Sequence, residues 1–301
     1  MKPRALLLTT VALLANTAAA QHQVDAKRPL VADGLVRIFV PQGSLRIMGW
    51  DRDTVQVTGS LDPAAELSIQ GGEVGGRRVK LAIEGLPDDG QTRVAQLEVH
   101  VPEKSRVWVE GRGAEVEVSG VVGSLELHMG SGGIRVTGSP QEVNAESMSG
   151  AIEIAAQATL VRAGSASGVV TLRGVSGDLE VSTVSGNIAV TGGTFQRAKV
   201  QSVVGNIQFT GDFDRGGSCT FESHSGKVEL FLPATVAADF EVTTFLASVD
   251  NDFGAGLPRT PADARRKELS FSTNAGGAQV SIRTYRGGVV LRKVVMKTRR
   301  G

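Results

Sequence analysis

Ser149-Gly150-Ala151-Ile152-Glu153-Ile154, Ser167-Gly168-Val169-Val170-Thr171-Leu172 and Ser185-Gly186-Asn187-Ile188-Ala189-Val190 are one phrase written three times. The turns are 18 residues apart, and the phrase continues at Val204-Gly205 and Ser225-Gly226 after steps of 19 and 21. Gly132 lies 18 residues before Gly150, and Ala247 lies 21 after Gly226. Apolar residues recur two and four places after each turn, as in Ile152/Ile154, Val170/Leu172 and Ile188/Val190. They recur again seven and five places before it, as in Val143/Ala145, Val161/Ala163, Leu179/Val181, Cys219/Phe221 and Phe240/Val242. Each repeat therefore holds two short strands of period 2 with one apolar face. A single unit cannot bury that face. Stacking the units places equivalent residues ~4.8 Å apart and closes one continuous core.

The expected fold is all-β, a β-solenoid of 18–21-residue coils with two short strands per coil. A leucine-rich repeat of similar period would carry an Asn/Cys ladder and a helix per unit, and neither is present. A β-sandwich would not hold a fixed Ser-Gly phase over six units. A second Gly closes the first strand at Gly138, Gly174, Gly192 and Gly211, where a left-handed corner is expected.

Working outward, residues 1–20 read as a signal peptide. Lys2 and Arg4 precede the apolar run from Ala5 to Ala15, and Ala18-Ala19-Ala20 is a cleavage signal. A flexible segment is expected over 21–35 and an irregular cap or irregular coils over 36–106. Regular solenoid follows over 107–253, an inserted loop over 254–268 with Pro258 and Pro261, and strands with a basic tail over 269–301. The 301 residues include 38 Gly but only 10 Phe, 2 Trp and 1 Tyr, which suits many corners around a narrow aliphatic interior. The one Cys excludes an internal disulfide and a thiol-based zinc site. A net charge of +1 gives no global pull toward nucleic acid.

Three stretches resemble a family of exported bacterial proteins of unknown function, labelled "putative adhesins", with heads like those of autotransporter adhesins. They are Gly43-Ser44-Leu45-Arg46-Ile47-Met48-Gly49-Trp50-Asp51 with Val55-Gln56-Val57, the Ser-Gly coils, and Ser225-Gly226-Lys227-Val228-Glu229-Leu230-Phe231-Leu232-Pro233. The similarity spans about residues 36–293. It implies a solenoid fold and an exported location, and it carries over no catalytic residue. The missing Gly at Leu246-Ala247 departs from the pattern and implies a distorted coil.

Outward positions should carry any function. Arg135/Glu153 and Glu180/Lys199 are expected to lie one rung apart and to pair. Glu126, Glu180 and Glu241 fall about three rungs apart, roughly 14 Å, outside the ~5–9.5 Å of a glycosidase carboxylate pair. Asp212/Asp214 and Asp250/Asp252 resemble calcium loops only in Asp content and lack the spaced twelve-residue pattern. Ser147, Ser165, Thr183, Ser202 and Ser223 form a hydroxyl ladder suited to satisfying corner backbone groups. Cys219 falls inward as a small hydrophobe. Met148, Ala166, Val184, Val203, His224 and Phe245 lie two places before the turn. Strict alternation points them outward, as an apolar interaction stripe. A rotated corner would bury them, and a buried or partly buried corner is the reading taken.

Residues 259–301 carry 11 Lys/Arg against 2 Asp/Glu. Arg292, Lys293, Lys297, Arg299 and Arg300 are therefore candidates for contact with an anionic surface. The reading reached is an exported, non-enzymatic, adhesin-like envelope module without cofactor or metal, lacking a transmembrane span. Its partner is an envelope or extracellular protein or glycan, not nucleic acid. The alternatives are a polysaccharide-active β-helix enzyme and an envelope-stress accessory protein.

Overall fold

A computed structural model describes residues 22–85, 95–254 and 266–294. The expected leader, most of the expected 254–268 loop, and Lys297, Arg299 and Arg300 lie outside them. The described residues form strands and turns without a helix. The first six strands are β1 (His22–Pro29), β2 (Leu35–Trp50), β3 (Thr54–Leu61), β4 (Glu66–Gly71), β5 (Arg78–Glu84) and β6 (Ala95–Pro102). The coils continue through β7 (Arg106–Ser119), β8 (Ser124–Met129), β9 (Ile134–Gly138), β10 (Glu142–Ser147), β11 (Ile152–Ala156), β12 (Leu160–Ser165), β13 (Val170–Arg173) and β14 (Gly177–Thr183). Then come β15 (Ile188–Ser202), β16 (Ile207–Ser223), β17 (Val228–Pro233), β18 (Ala238–Thr244), β19 (Val249–Asn251), β20 (Lys267–Thr273), β21 (Ala278–Thr284) and β22 (Val289–Val294).

The repeat builds the β-solenoid its phase predicts. On one face β8, β10, β12, β14 and the second halves of β15 and β16 stack in parallel, in register. On the other, β9, β11, β13, the first halves of β15 and β16, and β17 do the same. Leu125, Val143, Val161, Leu179, Ala198 and Cys219 make one inward column, none more than 3% exposed. Each buried aliphatic side chain of Val or Leu size contributes roughly 1.5–3 kcal/mol. The aliphatic interior gives way to aromatics where the coils lengthen: Phe195, Phe213 and Phe221 surround Phe209 at ring-centroid distances of 5.0–5.6 Å.

The corner glycines serve close approach. A Cβ on Gly150, Gly168, Gly186, Gly205 or Gly226 would stand 1.9 Å from the carbonyl oxygen of the Gly one rung below. The left-handed requirement holds instead at the second Gly, where Gly138, Gly174 and Gly192 have φ of 108°, 71° and 80°. Gly211 does not share it.

At both ends, stacking order departs from chain order. β2 lies between β7 on one side and the β5/β6 coil on the other, parallel to all three. Likewise β21 lies between the second half of β16 and β18, and β22 between β17 and β19. Phe240/Val242, expected to follow Cys219/Phe221 directly, are displaced one rung by Val280/Ile282. Gly287 occupies the ladder position above Gly226, its Cβ site 1.8 Å from the Gly226 carbonyl, so the missing Gly at 247 lies one rung further out. Antiparallel strands finish each end: β3 and β1 beyond β6, β4 beyond β5, and β20 beyond β18. Residues 22–29, expected in a flexible segment, are thus the strand β1, held by its full register to β3.

Candidate interaction face

From Met148 to His224 the corner column faces outward, which corrects the buried or partly buried reading there; Phe245 is half-buried, in keeping with it. Met148 is 71% exposed, Val184 53% and Val203 45%. The physical reason lies in the residue before it: Ser147, Ser165 and Thr183 turn inward and bind the corner backbone, and Ser202, also buried, accepts from Thr183 Oγ1 at 3.2 Å. The hydroxyls of Ser147 and Ser165 accept from the N–H of Gly150 and Gly168 at 2.9 Å. Thr183 Oγ1 donates to the Gly186 carbonyl at 2.7 Å. With that position inward, the next residue has only solvent before it. The corner backbones bond rung to rung, as Ala166 N–H does to Ser147 O and Val184 N–H to Ser165 O.

In space the stripe reads Met148, Ala166, Val184, Val203, His224, Tyr285, Phe245. Tyr285 enters through β21, a position that chain-order reasoning assigns to Phe245. His224 and Tyr285 stack at 5.0 Å and 8°, and Phe245 meets Tyr285 at 5.3 Å. Beside the stripe runs a polar column, in register: Glu110, His128, Glu146, Gly164, Ser182, Gln201, Glu222, Arg283. Several of its members have partners in or beside the column. His128 lies 3.0 Å from Glu126 and 3.3 Å from Glu146, Gln201 Nε2 donates to Glu222 at 2.6 Å, and Arg283 lies 3.6 Å from Glu222. A groove runs between the two columns, with the hydroxyl ladder along its floor. Sequence reasoning missed this polar column because no two of its members are close in the chain.

The broad strand faces carry ion ladders. Arg135 meets Glu153 at 3.1 Å and Lys199 meets Glu180 at 3.4 Å, as the repeat spacing predicts. Arg173 also bonds Glu153, and with Arg135 it holds that carboxyl below its ordinary value. The intercalated β2 extends the ladder by setting Arg46 3.2 Å from Glu117. Of the anionic-surface candidates, Arg292 is occupied by Asp250 and Asp252, and Lys293 lies 5.1 Å over the Phe253 ring. Cys219 is 1% exposed, and burial pushes its thiol up to about 12. Among the described residues no cluster of three His, Cys, Asp or Glu is placed to hold a metal ion. No helix there is long and apolar enough to cross a membrane.

A family model, Toastrack DUF4097, a domain of unknown function, matches residues 88–292, about two thirds of the chain. The chain belongs to this family. The Toastrack match takes in the regular coils and the intercalated C-terminal coil, but not β1 to β5. Among solved structures, a "Putative lipid binding protein" from Parabacteroides distasonis aligns at 13% identity and a TM-score of 0.51, over 90% of this chain and 97% of that one. A "putative adhesin" from Bacteroides fragilis aligns at 11% identity and a TM-score of 0.47, over 91% and 98%. At 13% identity the likeness to the first shows a shared fold and nothing finer. No curated protein matches the chain.

Proposed function

We propose that this protein is an exported, non-enzymatic interaction module of the bacterial cell envelope that binds along its solenoid corner. One observation supports this most: Met148, Val184, Val203 and Tyr285 stand exposed along one corner of the stack, beside strand faces that carry ion ladders. Surface hydrophobes scattered singly are ordinary, whereas a contiguous stripe bounded by polar residues is the mark of a contact surface. Repetition suits such a role, since many weak contacts at rung spacing add up along one line. The Ala18-Ala19-Ala20 signal supports export, and N-terminal sequencing of secreted protein should begin at Gln21.

The binding test is co-sedimentation of the purified mature chain with isolated bacterial envelopes. The wild type is expected in the pellet, and a chain carrying Met148→Glu and Val203→Glu in the supernatant. Equal pelleting of both would remove the corner from the function. Absence of both from the pellet would remove the envelope.

A further inference from the structure

We infer that the corner groove binds a linear, uncharged polysaccharide laid along the solenoid axis. This rests on the corner being the contact surface.

The groove has unlike walls. One is apolar, from Met148 through Val184 and Val203 to Tyr285. The other is polar, with the planar side chains of Gln201, Glu222 and Arg283 at one end. Gly164 and Ala166 narrow both walls midway and leave the channel open between them. From Met148 to Phe245 the stripe occupies seven rungs, separated by six steps of ~4.8 Å, about 29 Å in all.

Those dimensions choose among occupants. A strip two side chains wide, roughly 10 Å by 29 Å, offers about 300 Å², far below the ~800 Å² per partner of a stable protein interface. An extended peptide presents side chains to one face every ~6.7 Å and falls out of step with ~4.8 Å rungs. An acyl chain has nothing to offer the polar wall, whose donors and acceptors would then lose water without replacement. A linear polysaccharide repeats at a length close to one rung. Each of its rings has apolar C–H surface for one wall and hydroxyls for the other. The polar wall holds Glu110, Glu146 and Glu222, with Glu126 beside it, against Arg283, an excess of negative charge. That excess turns away an anionic chain, while the hydroxyls of an uncharged one can donate to its carboxylates. The rings of His224 and Tyr285 stack on each other along the axis, so they extend the apolar wall and do not form a platform.

Tyr285 is the sole tyrosine, so 3-fluorotyrosine labelling of the full mature chain gives one fluorine resonance at the end of the groove. The probes are cellohexaose and chitohexaose, each with its disaccharide. At least one hexasaccharide should shift the resonance saturably and bind at least about tenfold more tightly than its disaccharide, because the longer chain engages more rungs. Val184→Glu, on an exposed side chain, should weaken that binding at least about tenfold without lowering the melting temperature. The inference is overturned if neither hexasaccharide moves the resonance, if length has no effect, or if Val184→Glu binds as wild type. A shift on raising protein concentration alone, without sugar, would assign the stripe to a second copy and overturn it as well. Envelope binding that depends on Met148 and Val203, with no response to sugars, would leave the corner as the contact surface and refute only the glycan.

Discussion

Two kinds of glycine hold the corners, and they should fail differently. Gly168→Ala puts a methyl carbon 1.9 Å from the Gly150 carbonyl and must push two rungs apart, at about 1–3 kcal/mol or more. Gly174→Ala meets open space and costs only its left-handed φ, ~1–2 kcal/mol. Denaturant titration of the two variants should rank them in that order, and the reverse order would show that the ladder relaxes freely. Cys219 provides a second residue-scale test. Burial keeps its thiol protonated at neutral pH, so a thiol reagent should label it only on unfolding. Labelling of the folded protein at the rate of a free thiol would contradict its place in the core. Glu153 sets a pH dependence. Arg173 and then Arg135 lower its carboxyl from an ordinary 4.5, so its contribution to stability is present above that value and is lost as pH falls through the lowered one. Glu153→Gln should therefore flatten the acid limb of the stability profile below pH 4.5 and leave a smaller change between acid and neutral pH. An unchanged acid limb would show that other carboxylates set it.

At the scale of the strand pair, much was legible. Phase alone placed Val143 on Val161 on Leu179, and Arg135 beside Glu153, because a repeat with fixed spacing is also a register. The direction of the corner stripe was not legible, since the turn of the chain there depends on a hydroxyl-to-backbone bond rather than on alternation. The rung above Cys219 was misplaced for another reason. Phe240/Val242 and Val280/Ile282 satisfy the same inward pattern, and local period cannot rank them. The discriminating signal was the glycine: position 247 lacks it and Gly287 supplies it. Because internal coils touch only their neighbours, one can be removed whole. Deleting residues 151–168 joins Gly150 to Val169 in phase, and the shortened chain should keep its strand signal and unfold in one transition at a lower denaturant midpoint. Loss of cooperative unfolding would mean that the coils are not interchangeable.

For the whole molecule, the ends obey another rule. Stopping the chain after Gly277 removes β21 and β22 from within the stack, not from its tip. Ala247 cannot simply drop onto the vacant rung, because the Gly226 carbonyl stands 1.8 Å from where a Cβ would sit. The truncated chain should lose its sharp unfolding transition, although it discards fewer than 30 residues of the 301. Native-like unfolding would show that β18 had moved in to replace β21.

The tucked coils also bear on time. A solenoid whose rungs stack in chain order can fold as it is made, each coil settling on the one before. Here the final coil belongs between two that precede it, and β18 has no permanent neighbour toward β16 until β21 arrives. Completion therefore waits for the last residues, and closing a gap between coils already in place adds a late, non-local step. Until then the C-terminal end stays open. For the export proposed above, which threads a chain through a membrane before it folds, this order of rungs would supply a delay.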